Sequence, residues 1–546
     1  SNNSPWFVRV DANQVTDQGL KLIGGSNSTS PGGGFIDKPL PVDTVTKNTS
    51  VEAGYASKTA QLSASLLYSK FENSKDQLYW TNPFFASQQD RTTLAADSDY
   101  IRYGLNGVLK QLPMDSTLSG RVTYSTTANS IPIASTALNT GGVYDATNPN
   151  HSVFDGNVVH KTASLSLFSN PTKDLDSRVY WNYFKKDNRS THVTFVTPPT
   201  GLNCGGTSCT TETLDYKKTN LGVDVGFRIN RANRIVVGYD YLDLERDRVD
   251  YDETKDKKAS IEYKNTSLDA LSARVKVQHL RRRSHFLEGN AGTDATVPEY
   301  LNRFVARYDA SNVNQNLVKL GLDATPAEYW DVGFEFILKR NDYQDTVLGR
   351  TDDSRQEYYL SVGYGKMDKF RVMVFADVEN VTNDSRHRNI STLAGSAYSP
   401  YTPPTSTNYN WDASNDDRSW AVGIGTDWAV SARTKFNTSI IAQRTTGTVN
   451  FTVQPGANPT TPAVDIPNYD NTKKLTLNLK LTHTYTNAFD LTAGYAYERF
   501  RYDDIAFNGY QYVIGTGTTS TSYLSGAYAF PDYTVHSVYL IGTYKF

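Results

Sequence analysis

The sequence is poor in sulfur, with 2 Cys and 3 Met among 546 residues, and contains no run of 18 or more apolar residues. Without such a run no transmembrane helix is expected. No Cys-x-x-Cys-His occurs anywhere, so the chain attaches no c-type haem of its own. The eight histidines (His151, His160, His192, His279, His285, His387, His483 and His536) form no spacing suited to a metal site. No serine, cysteine or threonine has the recognisable setting of an activated nucleophile, so no enzyme is expected. With 55 basic and 57 acidic residues the net charge is −2, which gives no attraction to nucleic acid. Ser1-Asn2-Asn3-Ser4-Pro5 shows neither a basic nor an apolar leader region, and the expectation is that any signal peptide has been removed. The only thiols lie in Cys204-Gly-Gly-Thr-Ser-Cys209. That spacing suits a small disulfide loop in an oxidising compartment; a metal pair is the alternative, but no His or third Cys lies nearby.

What the sequence does have is tyrosine, 36 copies of it, and a two-residue rhythm. Tyr in excess of what a core can use suits a boundary where one end of the ring is apolar and the other wet. Leu475, Leu477, Leu479 and Leu481 alternate with Thr476, Asn478, Lys480 and Thr482. After a turn at Thr486-Asn487, Phe489, Leu491, Ala493, Tyr495 and Tyr497 alternate with Asp490, Thr492, Gly494, Ala496 and Glu498. Leu271, Ala273, Val275 and Val277 against Ser272, Arg274, Lys276 and Gln278 repeat the pattern, as do Ile101, Tyr103, Leu105 and Leu109 against Arg102, Gly104, Asn106 and Lys110. Successive side chains of a strand point to opposite faces, so each segment has one apolar and one hydrated face.

A soluble β-sandwich also alternates, and three further features separate it from a membrane barrel. The strands are long, about 10 to 15 residues against a usual mode of about 5–6, where a tilted bilayer crossing needs about 9–11. Connections alternate between tight turns (near 58–59, 113–115, 171–175, 230–232, 267–268, 326–328, 367–369, 431–432 and 486–487) and much longer loops (near 25–47, 74–98, 131–156, 192–212, 287–312, 389–417, 453–470 and 505–532). All 21 prolines fall in turns, loops or an N-terminal arm in this segmentation, as a closed ladder of donors requires. The C-terminal segment Tyr539-Leu540-Ile541-Gly542-Thr543-Tyr544-Lys545-Phe546 alternates and ends on an aromatic, which resembles the assembly signal of outer-membrane barrels; Leu540, Gly542, Tyr544 and Phe546 carry it.

The expectation is therefore an all-β, transmembrane, antiparallel up-and-down β-barrel formed by residues 1–546 as a single domain, with a short periplasmic arm over about 1–15. It has about 20 strands (range about 18–26), short periplasmic turns and long extracellular loops, and lies in the outer membrane of a Gram-negative bacterium. The loops, such as Pro400-Tyr-Thr-Pro-Pro404-Thr-Ser-Thr407, are rich in Ser, Thr, Asn, Gly and Pro. Asp412-Ala-Ser-Asn-Asp416-Asp417 offers clustered carboxylates but lacks the Gly and distal Glu of a calcium loop, so solvated loop charges are expected there. The charge-dense run from Asp243 to Lys258 reads as a tall hairpin above the bilayer with opposite charges paired across strands, or equally as part of an extracellular docking surface.

A barrel of about 20 strands is too wide for side chains to fill. Barrel strands start too early for an N-terminal plug domain, so either the long loops fold inward or a separate protein sits inside. The face opposite the apolar stripe carries both signs of charge: Arg274, Lys276 and Lys480, Arg371 with Asp377 and Glu379, Asp490 with Glu498.

The central region carries a family resemblance. Val236-Val-Gly-Tyr-Asp240-Tyr-Leu-Asp-Leu-Glu-Arg246-Asp-Arg248, Glu262-Tyr-Lys264-Asn and Leu271-Ser-Ala-Arg274-Val-Lys276 resemble the MtrB/PioB family of decahaem-associated outer-membrane barrels. The likeness continues through Phe334-Glu-Phe-Ile-Leu-Lys339-Arg-Asn-Asp342-Tyr and Arg355-Gln-Glu357-Tyr-Tyr to His387-Arg-Asn-Ile390. The resemblance implies a porin–cytochrome conduit. The barrel would sheathe a periplasmic multihaem cytochrome c and support an extracellular multihaem cytochrome, with all haem c held by those partners and none by this chain. The alternative is a passive or substrate-selective diffusion porin with loops folded into its lumen. The chain departs from some members in lacking a Cys-x-x-Cys near the N-terminus.

Overall fold

The computed structural model describes residues 4–27, 34–81, 89–133, 136–138, 144–146, 149–195, 209–248, 250–286, 305–366, 368–389, 409–454, 463–503 and 532–544. Among these residues every regular element is a β-strand. The chain divides into two compact units, the first drawn mainly from Ser1–Val223 and Asp240–Lys255, the second from Asp224–Tyr239, Asp256–Gly509 and Phe530–Phe546.

The first unit contains β1 (Trp6–Asn27), β2 (Gly34–Ala56), β3 (Ala60–Asn73), β4 (Gln77–Thr81), β5 (Gln89–Thr93), β6 (Ser98–Leu112), β7 (Ser116–Pro132), β8 (Thr136–Leu138), β9 (Tyr144–Ala146), β10 (Val153–Ser169), β11 (Leu175–Asn188), β12 (Thr194–Phe195) and β13 (Cys209–Thr210). Strands β14 (Tyr216–Arg228), β15 (Asn233–Arg246) and β16 (Tyr251–Leu268) contribute residues to both units. The second unit continues with β17 (Leu271–Phe286), β18 (Val305–Ala306), β19 (Val313–Ala324), β20 (Trp330–Tyr343), β21 (Leu348–Lys366), β22 (Phe370–Asn389), β23 (Tyr409–Ser431), β24 (Thr434–Val453), β25 (Ala463–Thr486), β26 (Phe489–Asp503) and β27 (Tyr533–Tyr544). Twenty-one strands belong to one sheet. Setting aside β18, a two-residue strand that pairs parallel to β21, leaves 20 long strands, the number expected.

Pairing is antiparallel between chain neighbours, from β1 through β2, β3, β6, β7 and β10 to β11, and again from β17 and β19 through β20 and onward to β27. The nine tight connections fall at 57–59, 113–115, 170–174, 229–232, 269–270, 325–329, 367–369, 432–433 and 487–488, each within two residues of the expected place. At the opposite end several connections are shorter than expected, because the strands run further. β1 begins at Trp6, inside the expected arm, and pairs with β2 as far as Asn27 opposite Gly34.

Four prolines stand within strands, contrary to expectation, and three positions have a ready explanation. Pro39 and Pro41 precede Thr44, where the β2–β3 ladder begins, so β2 has a β1 partner there but none on its β3 side. Pro467 falls in a register shift, where β25 residues 467 and 468 have no partner on β24. An edge or a bulge is where a strand tolerates a missing N–H. The fourth, Pro132, is the last residue of its ladder with β10.

Only nine apolar side chains are buried among the described residues, while large apolar groups stand open along one face: Leu105 is 61% exposed, Leu540 70% and Val538 82%. An apolar face with no protein over it needs an apolar solvent. On β23 it runs from Trp428 through Ile424 to Trp420, with Arg418 next on the same face. That is about 27 Å of strand at about 3.4 Å per residue, or about 20 Å across a membrane at about 40° of tilt. Ring pairs Trp6–Tyr55 (5.1 Å) and Trp330–Tyr364 (4.9 Å) mark the short-turn end of the band, as interfacial aromatics do. Strands of the second unit continue about nine residues past the band, from Arg418 up to Tyr409 on β23.

Candidate functional site

The face opposite the apolar band is the candidate site, since it alone can meet a solute or a partner inside a barrel. In the second unit, register places Arg274, Lys276, Lys319, Glu335, Asp331, Arg371, Asp377, Glu379, Lys480, Asp490 and Glu498 on it, each out of phase with its strand's apolar stripe. Every inward charge named from the sequence in this unit is therefore on the expected face. Many neutralise one another: Lys319 Nζ lies 2.6 Å from Glu335, Arg274 Nη2 3.6 Å from the same carboxylate, Arg371 Nη2 2.8 Å from Asp331 and Lys474 Nζ 2.9 Å from Glu498. Arg355 bridges Glu357 at 2.9 Å and Glu379.

The first unit sets small neutral groups on the same face beside charges such as Arg9, Glu52, Arg102, Arg121 and Arg178. Thr123 and Thr162 hydroxyls meet at 2.5 Å, Asn48 donates to Asn13 at 2.9 Å and Asn182 to Asn220 at 3.2 Å. Tyr180 OH donates to Asp240 at 2.5 Å. Inward aromatic rings lie flat across glycines of the adjoining strand, Phe7 over Gly54 and Tyr180 over Gly222 in this unit, Phe375 over Gly423 and Tyr539 over Gly494 in the second. A Cβ at any of these glycines would occupy ring space. The rings thus stay against the wall and do not project from it. The sequence reading missed this device; its signal is a Gly in the inward phase opposite an aromatic.

Beyond the band at the long-loop end, a small polar core closes the strand tops. Arg282 holds the buried Asp256 through two bonds of 2.8 and 2.9 Å, which raises the guanidinium pKa further. Tyr343 OH and Asn341 Nδ2 both donate to Asp353 at 2.6 Å; burial first, then this carboxylate, push the phenol up. In the charged hairpin Arg248 grips Asp250 (2.7 and 2.8 Å), Lys255 reaches Glu253 (2.6 Å) and Lys217 reaches Glu245 (2.6 Å). Of these pairs, Lys217–Glu245 and Arg282–Asp256 join opposite charges across adjacent strands, as expected, while Arg248–Asp250 and Lys255–Glu253 are local. Higher on β22 and β23, His387 stacks on Trp411 at 3.9 Å and accepts or donates a 2.8 Å bond with Ser385 Oγ. Burial lowers the His387 pKa.

Asp412, Asp416 and Asp417 lie within β23, not in a loop. Asp412 and Asp416 point to one face and Asp417 to the other, so they do not converge on a cation. Leu540, Gly542 and Tyr544 sit on the outward face of β27 opposite Ala493, Leu491 and Phe489, with the Phe489 ring beside Gly542. Phe546 lies outside the described residues. So does Cys204, while Cys209 starts the two-residue strand β13 opposite Phe195.

Comparisons with known proteins agree with this wall and band. The sequence profile of the family described as "outer membrane beta-barrel porin, MtrB/PioB" matches residues 1–546. The chain is 23% identical over 555 aligned positions to "Outer membrane protein MtrB" of Shewanella baltica (strain OS185), covering 99% of this chain and 72% of that protein. Among solved structures it is similar in fold to the "Copper transporter OprC" (TM-score 0.54, 9% identity, 100% of this chain and 81% of that one). It is likewise similar to the FrpB iron transporter from Neisseria meningitidis, F3-3 variant (TM-score 0.52, 9% identity, 100% and 82%). At such identity these two speak for the fold alone, an outer-membrane β-barrel. With its apolar band, its short turns at one end and a profile match along its whole length, the chain belongs to the MtrB/PioB family of outer-membrane β-barrel porins.

Proposed function

We propose that this porin is the sheath of an electron conduit, enclosing and insulating a periplasmic multihaem cytochrome c within the outer membrane and supporting an extracellular multihaem cytochrome. The observation that carries the reading is the character of the inward wall. Closed into a barrel, twenty strands at about 4.8 Å spacing and about 40° of tilt would enclose a cylinder about 40 Å across between backbones, too wide for side chains to fill. The wall of such a cylinder carries internally neutralised ion pairs, Asn, Ser and Thr, and rings pressed flat on glycines. This suits a broad, hydrated protein surface better than a narrow ion-selective filter. The family resemblance supports a cytochrome as the occupant, and in this reading the haem is attached there, since this sequence has no Cys-x-x-Cys-His. The barrel's part is then mechanical and dielectric: it fixes the haem chain across the bilayer and keeps lipid and bulk solute away from it.

Isolation from outer membranes in mild detergent, with haem staining of the native complex, tests the reading. A haem protein held at fixed stoichiometry through gel filtration is expected. A barrel that emerges free of haem and passes small solutes would instead be a diffusion porin.

A further inference from the structure

The outward face carries a feature that neither the apolar band nor the lumen explains. At the long-loop end of the band, the next outward residues on three adjacent strands are cations: Arg444 on β24, two beyond Ala442; Lys473 on β25, two before Leu475; and Arg499 with Arg501 on β26, beyond Tyr497. Register sets Arg444 directly opposite Lys473, and Lys473 directly opposite Arg501, with Arg499 opposite Leu475. Like charges placed opposite one another destabilise a sheet. Arg501 is paired with Asp532 at 3.3 Å. The Arg444, Lys473 and Arg499 side chains are exposed and make no ion pair or hydrogen bond among the described residues.

Some cations elsewhere on the strands are neutralised. On the inward face Lys474, next to Lys473, binds Glu498 at 2.9 Å. On the outward face of the first unit, Lys47 and Lys70 hold Glu72 at 2.8 and 2.9 Å and bring its carboxyl down to about 2. Arg444, Lys473 and Arg499 have no such internal partner, and register gathers them, with Arg501, on one patch of the outward face. They rim a hollow of about 750 Å³ whose lining also includes Trp420, Ala442 and Leu475, the top of the apolar band. The level matters, because it is where the acyl chains of the outer leaflet end and its phosphorylated sugar headgroups begin.

We propose that Arg444, Lys473 and Arg499 form a binding site for the phosphorylated glycolipid of the outer leaflet, its phosphate held by the three cations and its acyl chains along the Trp420–Leu475 stripe. Two guanidinium forks can each give a phosphate a pair of parallel N–H···O bonds, with the ammonium between them as a point charge. The apolar stripe directly below selects a lipid over a free anion.

The test is a native mass-spectrometric titration of the full chain, purified with its bound partners and stripped of lipid, using lipid A, dephosphorylated lipid A and inorganic phosphate. Arg444→Gln/Lys473→Gln/Arg499→Gln is expected to bind lipid A at least about tenfold more weakly than the unsubstituted protein. Arg444→Lys with Arg499→Lys, which keeps both charges but loses both forks, should bind more weakly than the unsubstituted protein and more tightly than the triple variant, and the short-turn-end control Lys110→Gln should stay within about threefold. Dephosphorylated lipid A should bind the unsubstituted protein as weakly as lipid A binds the triple variant. Heat-modifiable gel mobility verifies folding; if the triple variant does not fold, Arg444→Gln and Lys473→Gln singly should each weaken binding about threefold. Equal binding by the folded variant, indifference to dephosphorylation, or displacement of lipid A by equimolar inorganic phosphate would each overturn the proposal.

Discussion

Placing arginine at Ile440 tests whether the outward face is solvated by lipid. Ile440 lies midway between Phe436 and Arg444 on β24, directly opposite Ile424 on β23 and Leu477 on β25, and is 45% exposed. In a bilayer that exposure is contact with hydrocarbon at the midplane. An arginine on the lipid face there costs about 2–4 kcal/mol, falling to about 0–1 kcal/mol near the interfaces. Ile440→Arg should thus shift the folding equilibrium about 30- to 1000-fold, and Ala442→Arg, one step from the rim, by less than about tenfold. The neighbouring Ser439 faces inward, so Ser439→Arg should change stability by no more than about 0.5 kcal/mol. The assay is the fraction folded in phospholipid vesicles across a urea series, read by heat-modifiable gel mobility. Equal costs at 439 and 440, or a larger cost at 439, would refute the assignment of faces.

Three further outcomes follow from the same geometry. Gly423→Val should displace the Phe375 ring that covers Gly423 and cost about 1–3 kcal/mol by overpacking, recovered in large part by Gly423→Val/Phe375→Ala; absence of rescue would mean the ring is not what the glycine accommodates. His387 has its pKa lowered by burial from 6.5, so its neutral form stabilises the fold above pH 6.5 and that contribution fades as pH falls through the lower folded value. A pH titration of Trp411 fluorescence, read as the difference from Trp411→Phe, should have its midpoint below 6.5 and lose the step in His387→Gln. Cys204 and Cys209 are proposed to form a disulfide, so intact-mass measurement should show no alkylation until a reductant is added; two adducts without reduction would rule the bridge out.

The transmembrane part of the fold was legible because there the physics writes itself into the sequence twice. Lipid on one side and water on the other force strict alternation, as in Leu475–Leu481 and Phe489–Tyr497, and a tight turn leaves few residues between strands. All nine turns were found for that reason. What went unread is the strand above the membrane. Between Tyr409 and Asp417, Trp411 and Ala413 pack on the inward face of β23, while the face that continues the apolar band carries Asn410, Asp412, Ser414 and Asp416 and so looks like a loop. The same holds at Thr448–Thr452 of β24, and Pro467 disguises β25 further, although a register shift accommodates it.

The inward wall was legible in its charges but not in its arrangement. Alternation assigns Arg371, Glu379 and Lys480 to the wet face, whereas the pairing of Arg371 with Asp331, two strands away at 2.8 Å, depends on stagger between strands that no local pattern encodes. The cations Arg444, Lys473 and Arg499 were hidden by a similar gap. Each continues the apolar phase of its own strand, and only register shows that they lie on one patch.

Electron flux across reconstituted vesicles tests the central claim most directly. The native complex is placed in vesicles enclosing a redox dye, an impermeant reductant is added outside, and dye reduction is followed alongside release of an enclosed sugar. The account predicts dye reduction with sugar retained, and loss of that reduction when the haem partner is stripped away. Sugar release at the same rate with or without the haem protein, and no dye reduction by the native complex, would contradict it.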